Sequence, residues 1–172
     1  KPSKLNLPGH PVEGWHIVGD MAESGRVFIV EGIGQAWAAW QATGDAAIVS
    51  FGAARMATVA AAVRKQCPAA HLVVVPDRGK EAQAEAIASA IDGKWCELPA
   101  EMGQNDDAND FMQQHGPEAL AGLLDSTRTP PMRFKLLSGV DLCSAPPMRW
   151  MVRGVLPLEG LAALYGPSGA GK

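Results

Sequence analysis

Cysteine is scarce in this 172-residue chain: Cys67, Cys96 and Cys143 are an odd number, set far apart, with no C-x-x-C and no histidine pair beside them. That spacing excludes a disulfide framework and offers no zinc pattern, so the thiols read as ordinary reduced side chains. Long hydrophobic runs are missing too. No stretch approaches the roughly 18 apolar residues that a membrane-spanning helix needs, and the opening "KPSKLNLPGHPVEGW" lacks the apolar segment of a secretory signal. The expected setting is cytoplasmic, with no membrane partner. Covalent hydrolase chemistry also lacks its signatures, since there is neither a G-x-S-x-G elbow nor a placed Cys/His pair. With no initiator Met and a break inside a glycine motif, both ends read as the edges of a piece of a longer protein.

What is present is a globular composition, 47% hydrophobic and 19% charged, enough for one domain with a sizeable core. The net charge of -3 hides an asymmetry. Residues 1–127 carry 9 Lys/Arg against 16 Asp/Glu, whereas residues 128–172 carry 6 against 2. An acidic domain does not bind nucleic acid by bulk charge, because phosphate contacts need Lys and Arg. Acids gathered round a cation behave differently, since the ion inverts the local electrostatics.

From Arg26 the sequence alternates apolar, β-rich runs with alanine-rich helical runs. "RVFIVEG" (26–32), "AAIVSFG" (46–52), "HLVVVPD" (71–77) and the short "KWCELP" (94–99) read as strands. Between them, "GQAWAAWQATG", "ARMATVAAAVRKQCP" and "KEAQAEAIASAIDG" read as helices stopped by Gly44, Pro68 and Gly93. This order predicts an α/β fold: an open parallel sheet of about four strands with helices on both faces. A polar loop and one or two helical stretches broken at Gly116-Pro117 follow. The expected organisation is a lead-in over 1–25, the α/β domain over 26–127, a proline-rich connector or extended arm over 128–153, and a new unit over 154–172.

Ligands of open parallel sheets sit outside the carboxyl ends of the strands. Glu31 lies at that end of the first strand and Asp77 at that end of the third. Gly32 and Gly34 leave room beside Glu31. Two carboxylates converging there suit Mg2+, a hard cation that takes one or two carboxylates plus waters and substrate phosphates. Strand ends also carry acids as helix caps or solvated residues, so position alone leaves both readings open.

These residues carry a resemblance. "VFIVEGIGQAWAAWQATG", "AIVSFGA", "HLVVVPDRG", "AEAIASAIDGKWCELP" and "NDDANDFMQQHGPEAL" together resemble a Toprim domain, the metal-binding α/β module of bacterial-type primases, topoisomerases and some nucleases. The likeness runs over roughly residues 10–125 and is greatest to the Toprim domain of phage and plasmid primase-helicases. It implies that Glu31 matches the metal-binding glutamate, which also serves as general base, and that Asp77 matches the first aspartate of a D-x-D motif. Gly79 stands where the second aspartate is expected, which puts a second metal in doubt. The stretch "NDDAND" offers Asp106, Asp107 and Asp110. Asp107, Asn109 and Asp110 match a D-x-N-D stretch of the family, so Asp107 and Asp110 are candidate ligands, with helix capping by Asn109 or Asp110 the competing reading.

Arg78 and Lys80, beside Asp77, are candidate contacts to a nucleotide or nucleic-acid phosphate, or else a solvated first helical turn. Trp37 and Trp40 sit three apart on one helix and read as core packing rather than as a base-stacking platform.

At the far end "GLAALYGPSGAGK" places an apolar strand before a G-x-x-x-x-G-K phosphate loop, in which Gly166, Ser168, Gly169, Ala170, Gly171 and Lys172 would cradle the phosphates of ATP. It resembles the entry into the RecA-like ATPase of a replicative helicase. Without the Ser/Thr and helix that complete such a site, these residues are not expected to hydrolyse ATP. The combined expectation is part of a DNA primase-helicase: a Toprim domain binding Mg2+ for nucleotidyl transfer in primer synthesis. Single-stranded DNA and nucleotides would be its partners, with a C-terminal, hexameric helicase domain. Two alternatives stay open: a degenerate, non-catalytic Toprim module coupling a helicase to partners, and a Toprim nuclease.

Overall fold

The computed structural model describes residues 13–131, 139–144 and 149–158. The chain forms two compact units, residues 1–132 and 133–172.

The first unit is a mixed α/β fold built on a mostly parallel sheet. Along the chain run β1 (His16–Val18), β2 (Arg26–Val30), α1 (Ile33–Thr43), β3 (Ala46–Val49), α2 (Ala53–Gln66), β4 (His71–Val74), α3 (Glu81–Ala90), β5 (Lys94–Cys96), α4 (Ala108–His115), α5 (Pro117–Asp125) and β6 (Thr127–Arg128). The strand order is β1-β3-β2-β4-β5-β6. The four inner strands are parallel, in the order β3-β2-β4-β5, while β1 pairs antiparallel with β3 and β6 antiparallel with β5.

The inner strands are apolar on both sides because helices cover both faces of the sheet. The two-residue period of a strand sorts them cleanly. Val27, Ile29, Ile48, Leu72 and Val74 face α2 and α3, meeting Met56, Val59, Val63 and Ile87. Phe28, Val30, Val49, Val73 and Val75 face the opposite layer, meeting Ala36 and Ala39 of α1, Ala108 of α4, and Leu120 and Leu124 of α5. Phe28 is fully buried in this second layer, so cutting it to Ala would cost about 3–5 kcal/mol. Gly44 ends α1 in the left-handed region at φ 77°, its N–H donating to the Trp40 carbonyl, which is how a glycine stop works.

The sheet has six strands where the sequence pattern suggested about four. β1 falls inside the expected lead-in, and β6 is a two-residue edge; both are too short to show a period. Trp37 also departs from expectation. It is 46% exposed, and its ring meets Trp40 of the same helix edge-on, at 5.3 Å between ring centroids.

In the second unit, the described residues form a six-residue helix, α6 (Gly139–Ser144), and an antiparallel pair, β7 (Trp150–Val152) and β8 (Leu156–Pro157). The expected phosphate loop, with Gly166, Ser168, Gly169, Ala170, Gly171 and Lys172, lies outside the described residues. No helix among the described residues is long and apolar enough to cross a membrane.

Candidate metal centre

Two neighbouring parallel strands, β2 and β4, end side by side, with Ile29 opposite Val74. The chain leaving β2 delivers Glu31 and then enters α1 through Gly32. The chain leaving β4 is held one step longer by the Val75 N–H donating to the Ile29 carbonyl at 2.9 Å, and then delivers Asp77. Both carboxylates therefore come off the carboxyl edge of the sheet at adjacent positions, where ligands of such sheets collect.

Two groups fix them there. Gln35, in the first turn of α1 and only 1% exposed, accepts from the backbone N–H of Glu31 at 2.9 Å and of Gly32 at 3.2 Å through Oε1. Its Nε2 donates to Asp77 Oδ1 at 2.6 Å. The same side chain thus caps its own helix and orients a carboxylate on another loop. Lys80 is the second group. Its Nζ donates to Glu31 Oε2 at 2.6 Å and to Asp77 Oδ2 at 2.7 Å, so one ammonium stands between the two acids. Partial burial pushes the Lys80 pKa down, but the hydrogen bonds and charges of Asp77 and Glu31 outweigh it and hold the ammonium above its ordinary value.

Arg78 turns away from the pair. Its guanidinium donates to Glu81 Oε1 at 2.5 Å, and its backbone exchanges hydrogen bonds with the loop at Asn105 and Asp106. Gly79 has φ 93°, and a Cβ there would fall 2.1 Å from Gln104 Nε2. An aspartate does not fit this backbone without strain. The Gln104 amide lies in the same space, but it ends an exposed, flexible side chain that can move aside, so the backbone of Gly79 is the lasting obstacle.

Asp107 and Asp110 form a reciprocal cap on α4. Asp107 Oδ1 accepts from the N–H groups of Asn109 and Asp110 at 2.8 and 3.1 Å, and Asp110 Oδ2 accepts from the Asp107 N–H at 3.0 Å. The helix starts at Ala108, so its cap is Asp107, earlier than the Asn109 or Asp110 expected from the sequence. This end of α4 packs on the first turn of α1, where a Cβ added to Gly34 would come within 3.6 Å of Asn109. Burial pushes the Asp107 carboxyl above its ordinary pKa, with the charges of Asp110 and Asp77 adding to the push against the N–H bonds it accepts.

Among the described residues, no group of three or more His, Cys, Asp or Glu side chains is drawn together to hold a metal ion. Glu31 and Asp77 are brought together, and Asp107 and Asp110 are joined in the α4 cap, with Asp107 near enough to Asp77 to feel its charge. Gln35 escaped the sequence reading; with a glycine at the cap, only the reach-back half of a capping box is written in the sequence.

The doubly covered parallel sheet, with acids issuing from adjacent strand ends, defines an α/β domain of the kind that collects ligands at its carboxyl edge. The family is specific: residues 26–118, more than half of the chain, match the Toprim domain, and the chain belongs to the Toprim family. No curated protein and no solved structure gives a significant match. Toprim domains are metal-binding modules found in primases and nucleases. The residues here fit such an ion in one respect that the geometry carries: two carboxylates already converge on a single cationic centre, supplied by Lys80, and a pair of carboxylates is a donor set Mg2+ accepts.

Proposed function

We propose that this Toprim domain holds one Mg2+ between Glu31 and Asp77 for nucleotidyl transfer, as the primer-synthesising part of a phage- or plasmid-type DNA primase-helicase. The convergence of those two carboxylates on one cation position carries the reading. Mg2+ bound there would neutralise phosphate charge and polarise the reacting phosphoryl group. Asp77 keeps its aim because Gln35 holds one of its oxygens. Glu31 would also serve as the general base that accepts the proton of the attacking ribose hydroxyl. Asp107 and Asp110 would add ligands through Asp107 Oδ2 and Asp110 Oδ1, the oxygens that their cap on α4 does not use.

Under this reading the templates are single-stranded DNA, the substrates are nucleotides, and the setting is cytoplasmic. The phosphate-loop residues Gly166 to Lys172 would open an ATP-binding, hexameric helicase domain. A nuclease would use the same two acids with water as the attacking group. The non-catalytic alternative rests on a specific observation, Gly79 with Gln104 packed against it in place of a second acid.

Primer synthesis by the full-length protein on single-stranded DNA, with ribonucleotides and Mg2+, tests the proposal. Glu31→Gln should abolish synthesis while leaving the fold intact by circular dichroism. DNA cleavage without synthesis would replace the primase reading with the nuclease one, and neither activity would leave the non-catalytic module.

A further inference from the structure

Lys80 occupies a position from which one cation touches both Glu31 and Asp77. Its backbone is committed elsewhere: the N–H donates to the Asp77 carbonyl at 3.1 Å, and the carbonyl accepts from the Ala84 N–H at 3.0 Å. Among the described residues the ammonium donates to the two acids alone, and its side chain is 28% exposed on a flexible four-carbon stem. It can therefore leave the gap without disturbing the loop that carries it.

A divalent ion bound to the same two oxygens would need metal–oxygen distances of about 2.0–2.1 Å. Those are shorter than the 2.6 and 2.7 Å that separate the oxygens from Nζ, and they lie within the same gap. Two cations cannot share it. Without the ammonium, two carboxylates face each other, which strengthens their pull on a metal and their mutual repulsion when none is bound.

Resting on the metal reading above, we propose that Lys80 is a resident counter-cation. It fills the divalent-cation position in the metal-free domain, keeps the two acids together, and must swing out before a metal can enter. The displaced ammonium then lies at the rim of the site, where it is a partner for the phosphate oxygens of a nucleotide or nucleic acid. Lys80 is thus a positioning residue that sets the threshold for metal binding, and not a ligand.

Mn2+ binding to the domain, read from the paramagnetic resonance of the free ion, separates the possibilities. Lys80→Met should bind Mn2+ more tightly than the native protein by roughly tenfold or more, the scale expected when one unit charge is removed a few Å from a cation. Lys80→Arg should bind no more tightly than the native protein. In the metal-free state Lys80→Met should melt at a lower temperature and gain more from added Mg2+ than the native protein does. Lys80→Gln repeats the comparison should the Met variant fail to fold. Equal affinity in the native and neutral variants, with Glu31→Gln weakening both, would overturn the role of Lys80 and leave the metal reading standing. Folded protein that binds no Mn2+ at millimolar concentration, with or without Lys80, would remove both.

Discussion

Gln35 donates a 2.6 Å hydrogen bond to Asp77, 42 residues away, from a side chain that is 1% exposed. The amide joins the loop after β2 to the loop after β4, and its oxygen is spent on the backbone of Glu31 and Gly32. Both candidate ligands are thereby set by a residue that is itself no ligand.

Gln35→Leu should therefore lower stability by about 1–3 kcal/mol, the cost of leaving buried polar partners unpaired. A drop in the urea midpoint with unchanged slope would show it. Gln35→Glu retains the acceptor but sets a carboxylate against Asp77, so its loss at neutral pH should be at least as large. An unchanged midpoint in both variants would show that the bridge contributes nothing.

Restoring the motif acid should not restore a ligand. Gly79→Asp forces a side chain into φ 93° and against the Gln104 amide, and strain of this kind costs about 1–3 kcal/mol. Adding Gln104→Ala should recover the steric part and leave the backbone part, a non-additive pair in a double-mutant cycle. Should the single variant prove as stable as the native chain, the loop has an accessible second conformation.

Glu81 ties the same loop by accepting from Arg78 and from the Gly79 N–H at 2.9 Å. Burial raises its pKa, but the N–H bonds and Arg78 outweigh that and hold it below the ordinary carboxylate value. A depressed folded pKa contributes stability above the unfolded value of about 4.5 and loses it as pH falls through the folded pKa. The stability gap between the native chain and Glu81→Gln should be full at neutral pH and shrink below about pH 4.5. A gap independent of pH would assign the effect of Glu81 to packing alone.

The cysteines should divide by exposure. Cys96 is fully buried against α5, and burial, with the Glu97 charge behind it, pushes its thiol up to about 12. Cys143 is exposed. Iodoacetamide at mildly alkaline pH, followed by peptide mass spectrometry, should mark Cys143 and spare Cys96 until the fold is denatured. Early labelling of Cys96 would mean that α5 opens readily.

The parallel core was legible because both faces of the sheet are covered, which leaves continuous apolar runs such as "VFIV" and "LVVV" between helix patterns. Glu31 and Asp77 were legible as strand-end acids. Their partners were not. Lys80 reaches Glu31 across 49 residues of chain, and nothing in the local pattern around "DRGK" tells a solvated helical turn from a cation held between two acids. Gln35 looked like one polar position on an alanine-rich helix. The edge strands β1 and β6 stayed hidden because two or three residues cannot express an alternation.

Those two edges have a further consequence. The outermost strands are only three and two residues long, and each runs opposite to its neighbour. A strand arriving from another molecule finds too short a row of free backbone groups to zip onto. The six-stranded sheet therefore offers little margin for growth into a continuous inter-chain ribbon.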